Sequence, residues 1–241
     1  MYKRQIIGLN PALAGTAIFI ALCIDAVTDP LMGTISDRTN SLFGRRHPYM
    51  FIAFIPMSLG YIFLFAPRQD WDMSQNDLFL WMTLFTVITR IGMTLFDIPH
   101  RAFGGEVTKN YEERTLLMSW REMFAWIAGL GNAFLGYGVF FSSTSAYPQG
   151  QLNPDAWFPF ALTGAAIMII SALYCSVSTK DHAKNLSRWS GAISLSSIIN
   201  ELKIALSNKS FVIFFFGNLF LSLSWGLANT LTLFVNTYFW E

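Results

Sequence analysis

Six apolar segments, each long enough to cross a lipid bilayer, constrain this chain more than any other feature. A spanning helix needs about 20 mostly apolar residues. Six stretches reach that length, some of them only if a few polar side chains face a cavity rather than lipid. Charged residues make up only 13% of the 241-residue chain, against about 25% in a soluble domain. The sequence therefore predicts an all-α membrane protein whose spans cover 10–36, 48–66, 78–102, 114–141, 157–178 and 210–238.

The connecting segments alternate in charge, which predicts the orientation of the chain. Basic residues are concentrated after the first, third and fifth spans, whereas the other two connections contain almost none. The positive-inside rule places the basic segments in the cytoplasm. We expect a multi-pass protein of the inner (plasma) membrane, with the lipid bilayer as a partner. Nucleic acid is not an expected partner, because the basic residues are dispersed among the loops.

The two ends of the chain suggest that it is a fragment. The first five residues, "MYKRQ", look like the translated end of a transposase adapter used in DNA library preparation, so residues 1–5 are predicted to be non-native. The predicted orientation would also start the first span outside the cell, and the last span stops at an outer membrane face. We interpret both features as truncation, with a naturally short protein as the alternative.

Two aspartates lie inside the first predicted span, in "DAVTDPLMG". Asp25 and Asp29 are four residues apart and share one helix face. Like charges this close cannot both stay ionised in a low-dielectric site without a cation or a proton between them. Charged residues within a membrane usually face a bundle interior and mark ion or substrate pathways. The pair therefore predicts a site for Na⁺ or a proton, and a solvated pair at the interface is the alternative.

The third predicted span repeats this pattern in "TRIGMTLFDIPHRAF". Arg90, Thr94 and Asp97 stand at i, i+4 and i+7 on one helix face. Thr94 and Asp97 could complete a cation site with Asp25 and Asp29, and Na⁺ could bind at Asp25, Asp29 and Thr94. Arg90 is either a counter-ion for the carboxylates or a contact for an anionic substrate group.

The fourth predicted span contains a second candidate substrate contact. Trp120 and Arg121 are adjacent in "MSWREMFAW", where an aromatic face could stack on a sugar ring and a charged group could bind its hydroxyls. Trp residues in membrane proteins are more often interface anchors, and Arg121 could equally extend to the inner interface.

The first basic connection contains a candidate cytoplasmic gate. It holds Gly33, Asp37, Arg38, Gly44, Arg45 and Arg46. Gly33 permits close helix packing, and Asp37 can pair with the basic residues to form a latch. An ordinary positive-inside anchor is the alternative.

The last basic connection contains a predicted amphipathic segment. Its apolar residues follow helical spacing, which indicates either an amphipathic surface helix or a solvated linker helix. These residues are Leu195, Ile198, Ile199, Leu202 and Leu206.

Two long motifs resemble a known family. "DAVTDPLMGTISDRTNSLFGRRHPY" is similar to the second helix and following loop of the glycoside–pentoside–hexuronide:cation symporters, a branch of the major facilitator superfamily. "LFDIPHRAFGGEVTKNYEERTLLMSWRE" resembles the fourth helix, the next inner loop and the start of the fifth helix. The resemblance implies a major facilitator-type bundle with six visible spans of twelve. It implies that 6–178 form most of the N-terminal half, 179–209 the loop between the halves, and 210–241 the first helix of the C-terminal half.

The resemblance also implies roles for individual residues. Asp25 and Asp29 match the paired cation-site aspartates, and Thr94 matches a cation-ligand hydroxyl. Asp97 matches an aspartate that binds sugar hydroxyls, and Arg121 matches an arginine of the sugar pocket. The chain departs from the pattern at Arg90, which replaces a small residue, and at Arg101, which replaces an aromatic residue.

We therefore expect a secondary active transporter rather than an enzyme, with no cofactor other than the coupling cation. Na⁺- or H⁺-coupled symport of a sugar, glycoside or hexuronide is the predicted activity, and Arg90 and Arg121 favour an acidic sugar. The alternatives are symport of an amphipathic lipid-like substrate, a membrane-embedded aspartyl hydrolase, and a fragment with no activity without its missing half.

Overall fold

The computed structural model describes residues 8–184 and 203–238, and long helices dominate these residues. Six described helices are long and apolar enough to cross a membrane. The prediction of an all-α protein with six spans is therefore confirmed for the described part of the chain. The helices are α1 (Pro11–Arg38), α2 (His47–Leu64), α3 (Gln75–Glu106), α4 (Tyr111–Leu135), α5 (Trp157–Lys184) and α6 (Lys209–Tyr238).

Polar caps fix where the helices begin. Asn10 precedes α1, and its side chain accepts a hydrogen bond from the backbone N–H of Ala12. Ser74 and Asp77 form a reciprocal capping box at the start of α3. Asn110 caps α4 by accepting from a backbone N–H of its first turn. These side chains satisfy N–H groups that have no partner within the helix.

Helices α1 and α3 run parallel and in register along their length. At one end the backbone N–H of Asn10 donates to the side chain of Gln75 over 2.9 Å. Further along, Asp25 pairs with Arg90, and Asp29 accepts from Thr94. Each of these pairs is separated by 65 residues. The constant offset means that an i, i+4 pattern on α1 faces the same pattern on α3.

Two glycines allow α2 and α3 to approach at backbone distance. A Cβ added to Gly92 on α3 would lie 2.3 Å from the backbone nitrogen of Met57 on α2. A Cβ added to Gly60 on α2 would lie 2.6 Å from the hydroxyl of Thr89 on α3. Real side chains do not tolerate such distances, so glycine is required for this packing. The contact holds α3 firmly in place between α1 and α2.

Helix α4 is much less packed than α1–α3. None of its residues is buried, although its sequence is apolar enough to span a membrane. It ends in a π-helical turn at Gly136–Phe140. Beyond this turn the ring of Phe141 packs against Trp157 with 4.6 Å between centroids, and Trp157 also stacks on Phe65 at 5.8 Å. The aromatic contacts tie the start of α5 to the end of α2.

Helix α1 extends further than the sequence predicted. It continues through Pro30 and ends at Arg38, so Gly33, Asp37 and Arg38 lie within the helix rather than in the following loop. The basic residue in the last turn suits the negative end of the helix dipole. The loop contains Gly44 at a φ of +89°, a backbone conformation that glycine adopts without steric cost.

The chain divides into two compact units, residues Met1–Gly191 and Ala192–Glu241. In the second unit, α6 follows Asn208, whose side chain accepts from the backbone N–H of Ser210 over 3.0 Å. Residues 203–207 are helical, and Leu206 is exposed. The rest of the predicted amphipathic helix, Leu195 to Leu202, lies outside the described residues, as does the predicted adapter-derived head at 1–5.

Candidate cation and substrate site

Three aspartates, an arginine and a threonine from α1 and α3 surround a small cavity. We call these residues the carboxylate cluster: Asp25, Asp29, Arg90, Thr94 and Asp97. The cavity has a volume of about 120 Å³, and Met93 and Ile98 complete its lining. The parallel register of α1 and α3 brings the two polar faces together. The structure thus places together all four residues that the sequence predicted as cation ligands.

Arg90 is the ion-pair partner of Asp25. Its Nε donates to Oδ2 of Asp25 across the two helices. The Asp25 side chain is only 14% exposed, whereas Arg90 is 38% exposed. Within the described residues, the other carboxylate oxygen of Asp25 is buried without a hydrogen-bond partner. The sequence left open whether Arg90 is a counter-ion for the carboxylates or a contact for an anionic substrate group, and this geometry corresponds to the counter-ion.

Asp29 and Asp97 have different partners. The hydroxyl of Thr94, which is buried, donates to Oδ1 of Asp29 over 2.7 Å. Asp97 pairs with Arg101 over 2.7 Å, and both side chains are about half exposed. Sequence reasoning did not identify the pair with Arg101, although its i, i+4 spacing is a recognisable signal.

The cluster carries more negative than positive charge. Three carboxylates face the guanidinium groups of Arg90 and of Arg101, which pairs with Asp97 from outside the cluster, so the formal net charge of the cluster together with Arg101 is minus one. One monovalent cation, or one proton on a carboxylate, would neutralise it. Among the described residues, no group of three or more His, Cys, Asp or Glu side chains is close enough to bind a metal ion. A bound Na⁺ would therefore depend on hydroxyl oxygens as well as carboxylates, with Asp29 and Thr94 the nearest such pair.

Arg121 lies at a second, larger cavity, between α3, α4 and α5. This cavity has a volume of about 670 Å³, and His100, Arg101 and Arg121 contribute its polar groups on α3 and α4. Arg121 also pairs with Glu122 over 2.7 Å. Most of the remaining lining is apolar, including Phe103, Phe124 and Tyr174.

Trp120 is not positioned with Arg121. Its ring stacks on Phe124 with 6.0 Å between centroids, and the side chain is half exposed. In the part of the chain that the structure describes, Trp120 lines neither of the two cavities. The structure therefore does not form the predicted sugar platform from these neighbouring residues.

Three of the six predicted gate residues, Asp37, Arg45 and Arg46, form a compact ion-pair network with Glu106. We call Asp37, Arg45, Arg46 and Glu106 the latch cluster. Arg46, whose side chain is 6% exposed, donates to Asp37 through Nε over 2.9 Å and pairs with Glu106 over 3.0 Å. Arg45 pairs with Glu106 as well. The cluster joins the end of α1, the first loop and the end of α3.

Glu106 is the member of the latch cluster that sequence reasoning missed. It is the acidic residue directly after Gly104 and Gly105, at the end of α3. An acid at the end of a helix that parallels α1 could have suggested a partner for the two arginines. Gly33 packs beside Ile98, which would lie 3.7 Å from an added Cβ.

A buried histidine connects this region to α5. Nε2 of His47 lies 2.8 Å from the hydroxyl of Thr179 on α5, and its ring meets Phe103 edge-on with centroids 5.0 Å apart. Because His47 directly follows Arg46 in the chain, its contact with Thr179 links the latch cluster to α5. The 132 residues between His47 and Thr179 explain why the sequence pattern gave no indication of this contact.

Comparison with known proteins agrees with this architecture. The sequence profile of a family described as MFS/sugar transport protein matches residues 1–241. An uncharacterized symporter of Synechocystis is 31% identical over 178 residues, which cover 73% of this chain and 31% of that protein. YagG of Escherichia coli, provisionally named a glycoside/cation symporter, is 25% identical over 210 residues, or 86% of this chain and 42% of that protein.

A vertebrate relative is named for a different substrate. A sodium-dependent lysophosphatidylcholine symporter of Danio rerio is 29% identical over 135 residues, covering 54% of this chain and 24% of that protein. The chain therefore spans less than half the length of these relatives. The match over all 241 residues, the six apolar helices and the symporter relatives confirm the resemblance noted in the sequence: the chain is a multi-pass plasma-membrane protein of the MFS/sugar transport family.

Proposed function

We propose that this chain is part of a secondary active transporter that couples the movement of Na⁺ or H⁺ to the uptake of a sugar, glycoside or hexuronide. The carboxylate cluster is the observation that carries the proposal. It places three carboxylates and a hydroxyl around one cavity, within two helices that are apolar enough to cross a membrane. Such intramembrane groups are costly unless they bind an ion or substrate. The glycoside/cation assignment of YagG supports the same activity.

We propose that the chain supplies the second to seventh of twelve helices. In this arrangement 6–178 form most of the N-terminal half, 179–209 connect the halves, and 210–241 begin the C-terminal half. The coverage of at most 42% of the relatives' length supports this division. The remaining walls of the substrate cavity would come from the other half of the transporter.

The mechanism follows from charge compensation in the cluster. A cation or proton neutralises the carboxylate cluster at Asp25 and Asp29, with Thr94 and Asp97 as further ligands. The neutral cluster then favours sugar binding at Asp97 and Arg121, and the sugar raises cation affinity by the same factor. Opening of the latch cluster would accompany the change from an outward to an inward state. The contacts support Arg90 as a counter-ion and give no support for Trp120 as a sugar platform.

The test is uptake of radiolabelled methyl glycosides, pentosides and a hexuronide by cells that express the complete transporter containing this chain. Asp25→Asn and Asp29→Asn should each abolish accumulation against a gradient, because the cluster loses a charge that the cation must balance. Facilitated exchange of the sugar should remain. Asp70→Asn, in the exposed connection between α2 and α3, is the matched control. Normal accumulation in both cluster variants would contradict the proposal.

An amphipathic lipid-like substrate is the second candidate. The cavity between α3, α4 and α5 is large and mostly apolar, and Arg101 and Arg121 are among its polar residues. The Danio rerio relative is named for lysophosphatidylcholine. Competition between the labelled sugar and lysophosphatidylcholine would distinguish the two substrates, since only a shared site gives saturable inhibition below the concentration at which the lipid forms micelles.

Hydrolysis is not part of the proposal. A pair of aspartates that acts as acid and base needs one free carboxyl group and one free carboxylate near a water. In the structure Asp25 is engaged by Arg90, and Asp29 accepts from Thr94. The relatives described above are named as symporters.

A further inference from the structure

The ion pair between Arg90 and Asp25 has a consequence for which cation the site accepts. We propose that Arg90 is a specificity-determining residue that acts as a tethered cation at Asp25, so that the site discriminates against Na⁺. This inference rests on the proposed function as a cation symporter, and it concerns the ion selectivity of the same site.

The cluster offers few free oxygen ligands for Na⁺. Na⁺ is a hard cation that requires several oxygen ligands arranged around it. The guanidinium of Arg90 occupies Oδ2 of Asp25, and the Asp97 carboxylate is held by Arg101. Only Asp29 and the Thr94 hydroxyl form a direct pair without an arginine between them. A proton needs only one carboxylate oxygen, so the same arrangement accommodates a proton.

The positive charge of Arg90 also disfavours Na⁺ at Asp25. The remaining carboxylate oxygen of Asp25 is buried and has no hydrogen-bond partner in the described part of the chain. A Na⁺ at that oxygen would approach the fixed positive charge on the other oxygen of the same carboxylate. Repulsion between like charges at such a distance is strong in a partly buried site. Arg90 therefore opposes Na⁺ at the position where the paired aspartates would otherwise bind it.

The net charge at the cavity also bears on which cation it accepts. The charged groups that line it are Asp25, Asp29, Asp97 and Arg90, and with Arg101, the partner of Asp97, their formal sum is minus one. Neutral His100 and the Arg121–Glu122 ion pair, which lie near Asp97 and Arg101, leave this sum unchanged. One proton neutralises this set. Removal of Arg90 alone would bring the sum to minus two and leave the Asp25 carboxylate without its ion-pair partner. The variant cluster would then offer a second carboxylate to Na⁺.

The inference is tested by titrating the purified complete transporter with NaCl in a calorimeter, with choline chloride keeping the ionic strength constant. The wild type should give no saturable heat with Na⁺. Arg90→Gln should bind Na⁺ at least about tenfold more tightly than the wild type, a difference of about 1.4 kcal/mol. Arg90→Lys, which retains the positive charge, should behave as the wild type. The double variant Arg90→Gln with Asp25→Asn should lose the gained Na⁺ binding.

Arg90→Met provides a second neutral variant with a long apolar stem, and size-exclusion chromatography checks that each variant is folded. Saturable Na⁺ binding by the wild type with the affinity of Arg90→Gln would overturn the inference. Absence of Na⁺ binding in both folded neutral variants would also overturn it. Because the titration uses no sugar, its outcome is independent of the uptake assay: a transporter that accumulates no glycoside would contradict the proposed function alone.

Discussion

The carboxylate cluster and the latch cluster are built on the same two helices, but they balance charge differently. Asp29 and Asp37 are eight residues apart on α1, or about 12 Å at the helical rise of 1.5 Å per residue. In the latch cluster two carboxylates face two arginines, and each arginine reaches Glu106. In the carboxylate cluster three carboxylates face Arg90, and Arg101 pairs with Asp97 from outside the cluster, so one negative charge is left unbalanced.

This difference separates a structural ion-pair network from a binding site. The charges of the latch cluster balance, so it needs no added ion for neutrality and can stabilise one conformation without a ligand. Three of its buried atoms, Nε of Arg45, Nη1 of Arg46 and Oε2 of Glu106, nevertheless have no hydrogen-bond partner within the described residues. An unbalanced cluster within a membrane-spanning helix remains costly until an ion or a proton enters. The arginines at the latch are therefore expected to contribute to stability, whereas Arg90 is expected to set ion selectivity. The following experiments challenge that distinction.

The largest effect is expected at Gly92, because the α2–α3 contact positions both clusters. Gly92→Ala would place a Cβ 2.3 Å from the backbone nitrogen of Met57, so the two helices must separate. Overpacking of this kind costs about 3 kcal/mol, and we expect little folded protein after detergent extraction. Gly129→Ala on α4 is the control, since nothing lies within 4 Å of an added Cβ there. Equal yields of folded protein from the two variants would show that α3 is not fixed by this contact.

The next largest effect is the loss of stability expected for Arg46→Gln, and its comparison with Arg90→Gln distinguishes the two clusters directly. Arg46→Gln removes a buried cation from two carboxylates and should cost about 2–3 kcal/mol, less than a fully buried pair because Asp37 is half exposed. We expect a lower thermal unfolding temperature that NaCl does not restore. Arg90→Gln should also unfold at a lower temperature, but NaCl should restore it relative to choline chloride. If NaCl raises the unfolding temperature of both variants, or of neither, the proposed difference between the two clusters is wrong.

A smaller effect is expected at the hydrogen bond between Thr94 and Asp29. Thr94→Val keeps the shape of the side chain but removes a donor to a charged group, which is worth about 1.5–3 kcal/mol. Accumulation of the labelled glycoside should fall by about tenfold or more for a loss of at least 1.4 kcal/mol. Thr94→Ser keeps the hydroxyl and should retain most of the activity. A Val variant as active as the Ser variant would exclude Thr94 from the site.

The smallest effect is expected at a neutral hydrogen bond near the latch cluster. Tyr49 and Thr39 share a hydroxyl–hydroxyl contact of 2.6 Å. Tyr49→Phe should lower the free energy of unfolding by only about 0.5–1.5 kcal/mol, and the shift should not depend on Na⁺. Thermal unfolding in NaCl and in choline chloride checks both points. If Tyr49→Phe lowers the free energy of unfolding as much as Arg46→Gln does, the ion pairs of the latch cluster contribute no more to stability than this neutral hydrogen bond.

Much of the fold could be predicted from the sequence, because membrane-spanning length and apolar composition are local properties. The face shared by Asp25 and Asp29, and the face shared by Arg90, Thr94 and Asp97, also follow from helical periodicity alone. The direct pairing of these two faces depends on the parallel register of α1 and α3, which no single segment encodes.

The contacts that the sequence did not reveal are those between distant segments. Glu106 lies 60 residues from Arg46, and Thr179 lies 132 residues from His47. The first span was predicted to end at residue 36, two residues before the observed end of α1 at Arg38, because the charged residues Asp37 and Arg38 were assigned to the following loop. Trp120 and Arg121 are adjacent in sequence, but neighbouring residues point to different sides of a helix. The Trp120 ring therefore stacks on Phe124, whereas Arg121 lines the larger cavity.

The measurement that tests the central account most directly is proton movement coupled to sugar entry. The complete transporter would be reconstituted into liposomes containing a pH-sensitive dye, and a methyl glycoside that is taken up in the cell assay would be added outside. The account predicts that sugar entry acidifies the lumen with the wild type but not with Asp29→Asn, while both proteins still exchange the labelled sugar. Sugar-dependent acidification of equal size with Asp29→Asn would contradict the account.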